Sequence, residues 1–264
     1  PPPLFQAEDG IRDHLLGLVG SEMCIRDRTN FFVLLLLATV IATYGVLSDS
    51  TATVIGAMIV APLMGPIMAT AAAVVIGSAR RAWRSLALVA AGVVSVILLS
   101  AVLTLIIPSS GISFTQNSEI VSRISPGLLA LLTALASGAA GAYITAREEL
   151  ADSMGGVAIA ISLVPPLCVV GIGIEQGEWS AALGAFTLFV TNFLAILLMG
   201  GITFMIAGLG RAAIRDEDQR MRRRAFAMIA LATIIIIIPL SVTTFQAINN
   251  LFETNTAQAE SPEL

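Results

Sequence analysis

Residues 51–79 read TATVIGAMIVAPLMGPIMATAAAVVIGSA, a run of 29 positions without a charged side chain. As one helix it reaches about 43 Å, against about 30 Å of bilayer hydrocarbon. The run is long enough to cross oil with length to spare, and it carries Pro62, Gly65 and Pro66 in its middle. An interior proline removes a backbone hydrogen bond and clashes with the turn before it. In lipid the freed groups must be met by protein or by water in a cavity. The run is therefore expected to break, tilt strongly or re-enter the membrane.

Six further apolar segments follow by hydropathy, over 30–47, 85–108, 126–146, 154–174, 181–209 and 225–247. The 264 residues are 56% hydrophobic and 12% charged, with a mean hydropathy of +0.90. Soluble domains carry about 25% charged residues. The fold class is thus an all-α polytopic membrane protein of about seven transmembrane helices. A soluble enzyme is excluded. Nucleic acid is excluded as a partner too, because the net charge is −4 and the 14 basic residues are all Arg.

Residues 1–28 differ from the rest. They carry five acids, three Arg, His14 and Cys24. The strings FQAEDGIRD and SEMCIRDR resemble translated sequencing-adapter DNA, and the segment is set apart as a non-native leader. The transmembrane domain is read over 29–247 and a polar C-terminal tail over 248–264. Beyond the leader there is no His or Lys, and Cys168 is the one cysteine. Zinc sites, Ser–His or Cys–His catalysis and Lys Schiff bases all lack their residues. No enzyme activity, cofactor or metal is expected.

Arginine counts orient the chain. Arg80, Arg81, Arg84, Arg147, Arg211, Arg215, Arg220, Arg222, Arg223 and Arg224 fall in alternate loops, and Arg123 alone falls in the opposite set. The positive-inside rule then places the N-terminus in the cytoplasm and the C-terminus outside, in the inner membrane of a bacterial cell.

Segment 51–79 has an echo. Shifting by 100 aligns Gly56 with Gly156, Ile59 with Ile159, Leu63 with Leu163 and Pro66 with Pro166. Both copies are the middle span of a three-span set, so spans one to three and four to six are expected to form an inverted 3+3 repeat plus one C-terminal helix. Pro62, Gly65 and Pro66 break one copy, and Pro165 and Pro166 the other. These breaks are candidates for lining a substrate or ion pathway.

Charged groups are absent from the spans and sit at their edges. Asp49 precedes one copy; Glu149 and Asp152 precede the other, with Asp49 and Glu149 again offset by 100. A carboxylate there either caps the helix or takes part in cation or proton binding. Within the spans, Ser162, Thr187, Thr191 and Asn192 bond between helices or help coordinate a solute. Cys168 reads as inert core. Ala57, Ala61, Gly65, Ala69, Ala73 and Gly77 recur every fourth position, a stripe suited to close helix packing within a subunit or in a homo-oligomer.

The runs GAMIVAPLMGPI (56–67), REELADSMGGVAIAISLVPPL (147–167) and LFVTNFLAI (188–196) together resemble the bacterial and archaeal membrane family DUF389. The matching positions are Gly56, Ala61, Pro62, Pro66, Glu149, Gly156, Pro165, Pro166 and Asn192. The resemblance implies a polytopic membrane domain, with no established substrate, and many members carry a soluble domain ahead of the first span. Two functions are expected from these residues. The first is a transporter or channel-like permease for an ion or small solute. The second is a non-transporting scaffold or sensor whose soluble N-terminal domain is missing from this chain.

Overall fold

The computed structural model describes residues 25–106, 114–124, 127–147, 163–209, 220, 223–227, 229 and 231. Every regular element among the described residues is a helix: α1 (Ile25–Leu47), α2 (Thr51–Val60), α3 (Met64–Ile76), α4 (Ala79–Ile106), α5 (Ser118–Ile124), α6 (Leu128–Thr145), α7 (Val164–Gln176) and α8 (Trp179–Ile206). Four of them, α1, α4, α6 and α8, are long and apolar enough to cross a bilayer. The α2–α3 pair, bent by 52°, makes a fifth span if counted as one. The protein is a multi-pass helical membrane protein. Most of segment 225–247 and the first part of 154–174 lie outside the described residues.

Several boundaries move relative to hydropathy. The arginines of 80–84 were expected in a loop but form the first turns of α4, because Arg is a good helix former and hydropathy marks where oil ends rather than where a helix ends. The loop 175–180 shrinks to Gly177 and Glu178. The polar stretch 109–125 contains the short helix α5, and α1 begins at Ile25, inside the stretch set apart as a leader.

The 51–79 run breaks as expected, with Pro62 in the break, while Pro66, Pro165 and Pro166 stand in the first turns of helices. Pro62 follows Ala61, and the residue before a proline is pushed out of the helical region. Ala61 accordingly adopts φ −68°, ψ 120° and ends α2. Pro66 is the third residue of α3, and Pro165 and Pro166 are the second and third of α7. First-turn N–H groups have no carbonyl to reach within the helix, so a residue lacking one is favoured there.

At the other end, α3 and α7 stop in the same way. Gly77 and Gly177 take φ of 84° and 77°, a left-handed conformation that a side chain disfavours. In the first, the Gly77 N–H bonds the Val74 carbonyl and the Ser78 N–H the Ala73 carbonyl. In the second, Gly177 bonds Ile174 and Glu178 bonds Gly173. Each pair of bonds satisfies carbonyls left open by the helix end.

These two 13-residue helices lead into the two 28-residue helices, α4 and α8. The starts and ends of both pairs differ by 100 in number: 64, 76, 79 and 106 against 164, 176, 179 and 206. Each short helix packs against both long ones, α3 on α4 and α8, α7 on α8 and α4. Helix α1 covers α2, α4 and α7, and α6 lies along α8. Close approach is bought with glycine. A Cβ on Gly171 of α7 meets the Ile97 carbonyl of α4 at 2.6 Å, and one on Gly138 of α6 meets the Ile196 Cα of α8 at 2.8 Å.

The core joins Phe31, Leu35, Leu63, Ile67, Leu163, Leu167, Ile196 and Phe204. The exposed Val94, Leu98, Val102 and Leu105 of α4 recur at three- and four-residue steps and form a face suited to lipid. The small-residue stripe does not form one buried face. The bend at 61–63 interrupts it, Ala57 and Ala73 are buried, and Gly65 is exposed with nothing near its Cβ position.

Gly171→Val is expected to destabilise the protein by about 1–3 kcal/mol through overpacking. Gly65→Ala should leave the melting temperature in detergent near the parent's, so equal melting of the two variants would contradict this packing.

Candidate functional site

The bend and the start of α7 meet in one apolar core. Leu63 and Leu163, which precede α3 and α7, are both buried in it, and neither provides a side-chain cap. Pro62 is half-buried, Pro66, Pro165 and Pro166 are buried, and Gly65 is open. The first turn of α3 therefore presents the N–H groups of Met64 and Gly65. The first turn of α7 has lost two such donors to Pro165 and Pro166. A Cβ on Gly92 of α4 would touch Leu35, Phe31 and Leu63, so α4 runs close beside the bend.

The residue 100 beyond Gly92 is Asn192, on α8. Its Oδ1 is buried and has no hydrogen-bond partner among the described residues. A buried amide oxygen left unbonded is costly, which marks this place as one where a polar group belongs. Thr187 and Thr191 were expected to bond between helices and do not. Their hydroxyls donate to the Leu183 and Thr187 carbonyls one turn back, the local bond that a helical threonine favours. Ser162, Glu149 and Asp152 lie outside the described residues.

Asp49 serves a different helix from the one expected. Ser50 caps α2, its Oγ accepting the Thr53 N–H. Asp49 instead turns to φ 53° and accepts from the Ser118 Oγ at 2.8 Å and the Glu119 N–H at 2.9 Å, tying α5 to the α1–α2 corner. These bonds, the Glu119 N–H first, hold its carboxyl below the ordinary carboxylate value.

Around it lies a clasp that sequence reading missed. Asn117 donates to the Val46 carbonyl at 2.8 Å and accepts the Ile120 N–H at 2.9 Å. Thr51 donates to Glu119 Oε1 at 2.6 Å, and Glu119 Oε2 pairs with the Arg123 guanidinium at 2.7 Å. Burial lowers the pKa of Arg123, and the charge of Glu119 opposes the shift. Arg123 was the exception to the arginine count; it is neutralised here. The i,i+4 spacing of Glu119 and Arg123, behind Asn117 at a helix start, was the available signal.

A second polar group sits where α1, α4 and α7 meet. Thr43 donates to Ser100 at 3.2 Å, and Ser100 donates to the Cys168 carbonyl at 2.9 Å. Thr39 and Thr104 bond carbonyls of their own helices, and all five residues are fully buried. These hydroxyls supply the interhelical bonds that had been assigned to α8.

Because the Asp49 value is lowered on folding, its contribution is complete above the unfolded value of about 3.9 and is lost as pH falls through the folded value. Asp49→Asn should therefore melt below the parent at neutral pH, and the gap should close in acid. A gap independent of pH would refute the assignment.

Residues 58–198 match the family described as Domain of unknown function (DUF389). Pro62, Gly65, Pro66, Pro165, Pro166 and Asn192 fall inside the match, while Asp49 precedes it. The chain is 29% identical over 243 residues to an uncharacterized protein of Methanocaldococcus jannaschii, spanning 90% of this chain and 74% of that one. No solved structure matches significantly. With the match running from the end of α2, across the α2–α3 break, through most of α8, this chain belongs to the DUF389 family.

Proposed function

We propose that the protein is a membrane permease for an ion or small solute, built as an inverted 3+3 repeat. The path runs between the α2–α3 bend and the start of α7, beside Asn192. The observation that carries this reading is the pair of units offset by 100, each a short helix with proline in its first turn, a left-handed glycine and a 28-residue helix.

Contacts at the two ends of the molecule support the inversion. Near the end of α3, Val75 lies 3.8 Å from a Cβ on Gly201, close to the end of α8. Near the end of α7, Ile172 packs with Val46, Ile120 and Ala182, close to the start of α8. The two short helices thus finish toward opposite faces, as spans of opposite direction do. In this arrangement Arg80, Arg81 and Arg84 lie on the cytoplasmic side with the N-terminus, and the C-terminus lies outside.

Half-helices in inverted repeats bring unpaired backbone groups to a midplane site. Here the donors come from α3, open carbonyls from the end of α2, and an amide from Asn192. Asp49 is occupied by α5, which leaves coupling to other groups. A second reading, a non-transporting scaffold that assembles as a homo-oligomer, is favoured by Gly56 and Gly65, whose Cβ positions are open.

The two tryptophans test the topology. Trp83 and Trp179 are exposed near the starts of α4 and α8. In right-side-out vesicles, external iodide should quench Trp179 in the Trp83→Phe variant and spare Trp83 in the Trp179→Phe variant. Quenching of both from one side would exclude the inverted arrangement.

Flux tests the activity. Proteoliposomes challenged with cations, anions and small solutes should show a saturable signal that falls at least about tenfold in Asn192→Leu, a loss of about 1.4 kcal/mol or more. The variant's melting should stay close to the parent's. Silence across the panel from folded, inserted protein would rule out the permease and favour the scaffold.

A further inference from the structure

We propose that α5 is a gate over the seam between the two units, held shut by the Glu119–Arg123 ion pair. This rests on the permease reading for its purpose, though not for its test. Among the described residues, α5 bonds the α1–α2 corner of the first unit and packs on α7 and α8 of the second. Below it, the apolar seam joins Val46, Val54 and Met58 of the first unit to Val169, Ile172 and Ala185 of the second. Ile120 of α5 is fully buried among them.

The two attachments differ in kind. Toward the first unit the packing of Ile120 is joined by hydrogen bonds, from Asn117 to Val46, from Ser118 and the Glu119 N–H to Asp49, and from Thr51 to Glu119. Toward the second unit the attachments are apolar packing and the close approach of the Ile124 carbonyl to Gly184. The hydrogen-bonded side is the hinge, and the apolar side is where the seam parts. A 7-residue helix has little stability of its own, so α5 keeps its shape by docking.

The ion pair sets the balance. Glu119 is 5% exposed and the Arg123 side chain 12%. Closing strips water from both charges, and their attraction offsets that cost only while both are present. Opening returns water to both together, so the two states lie close in energy. Removing one charge leaves the other buried and unpaired, and the gate opens. Removing both leaves no charge to bury, and it closes again.

The test uses the full chain in nanodiscs, with Cys24→Ser and Cys168→Ala, Ile120→Cys as reporter, and a charged maleimide as probe. Labelling should be slow with the ion pair intact and at least about tenfold faster with Glu119→Gln or with Arg123→Met. In the Glu119→Gln/Arg123→Met double variant it should return to within about twofold of the intact pair. Equal rates in all proteins would overturn the gate. A double variant as fast as the single ones would overturn the ion pair as its latch. No solute enters this measurement, so a protein that labels as expected but passes nothing would refute the permease reading alone.

Discussion

A helix that ends inside hydrocarbon leaves backbone donors or acceptors with nothing to bond, and no water is there to meet them. The rest of this fold answers that constraint. At the starts of α3 and α7, proline removes donors that had no acceptor within the helix. At their ends, the glycine turns at 77 and 177 bond the carbonyls that a straight stop would strand. Proline and glycine thus reduce the number of backbone groups left open, and those that remain are the Met64 and Gly65 N–H groups and carbonyls at the end of α2. The core around Leu63 and Leu163 remains apolar.

Division of a span also changes what can pack. A 13-residue helix covers about 20 Å and a 28-residue one about 42 Å. The short helices cannot enclose a core alone, and each lies against both long ones. Lipid offers no hydrophobic gain when apolar helices meet, so contact rests on close fit and hydrogen bonds between helices. Gly171 and Gly138 provide the fit, and Thr43 and Ser100 the bonds.

Asn192, Pro66 and Pro166 were legible as candidates because a proline or an amide in an apolar run is conspicuous. The hydroxyls of Thr39, Thr43, Ser100 and Thr104 were not, since one small polar residue among apolar ones says nothing about which helix it faces. Asp49 was noticed for its edge position, yet its bonds reach Ser118 and Glu119, some seventy residues along. Local capping logic could not find that partner, because Ser50 already meets the local need. Glu119 and Arg123 were overlooked for the opposite reason: in a polar stretch, charges look solvated until tertiary contacts bury them.

The chain by itself determined that the protein spans a membrane in several helices, that one span is broken near Pro62, and that Gly56, Ile59, Leu63 and Pro66 have identical residues 100 positions on. Each follows from quantities local in sequence: the length of an apolar run, the geometry of proline, and identities at a fixed shift. The tertiary structure decided that Pro66, Pro165 and Pro166 stand in the first turns of helices, that Asp49 serves α5 rather than α2, and that a buried ion pair lies over the seam. Those outcomes depend on which distant surfaces meet. That is set by close packing over the whole bundle, where an ångström decides whether a hydroxyl finds its own helix or the next.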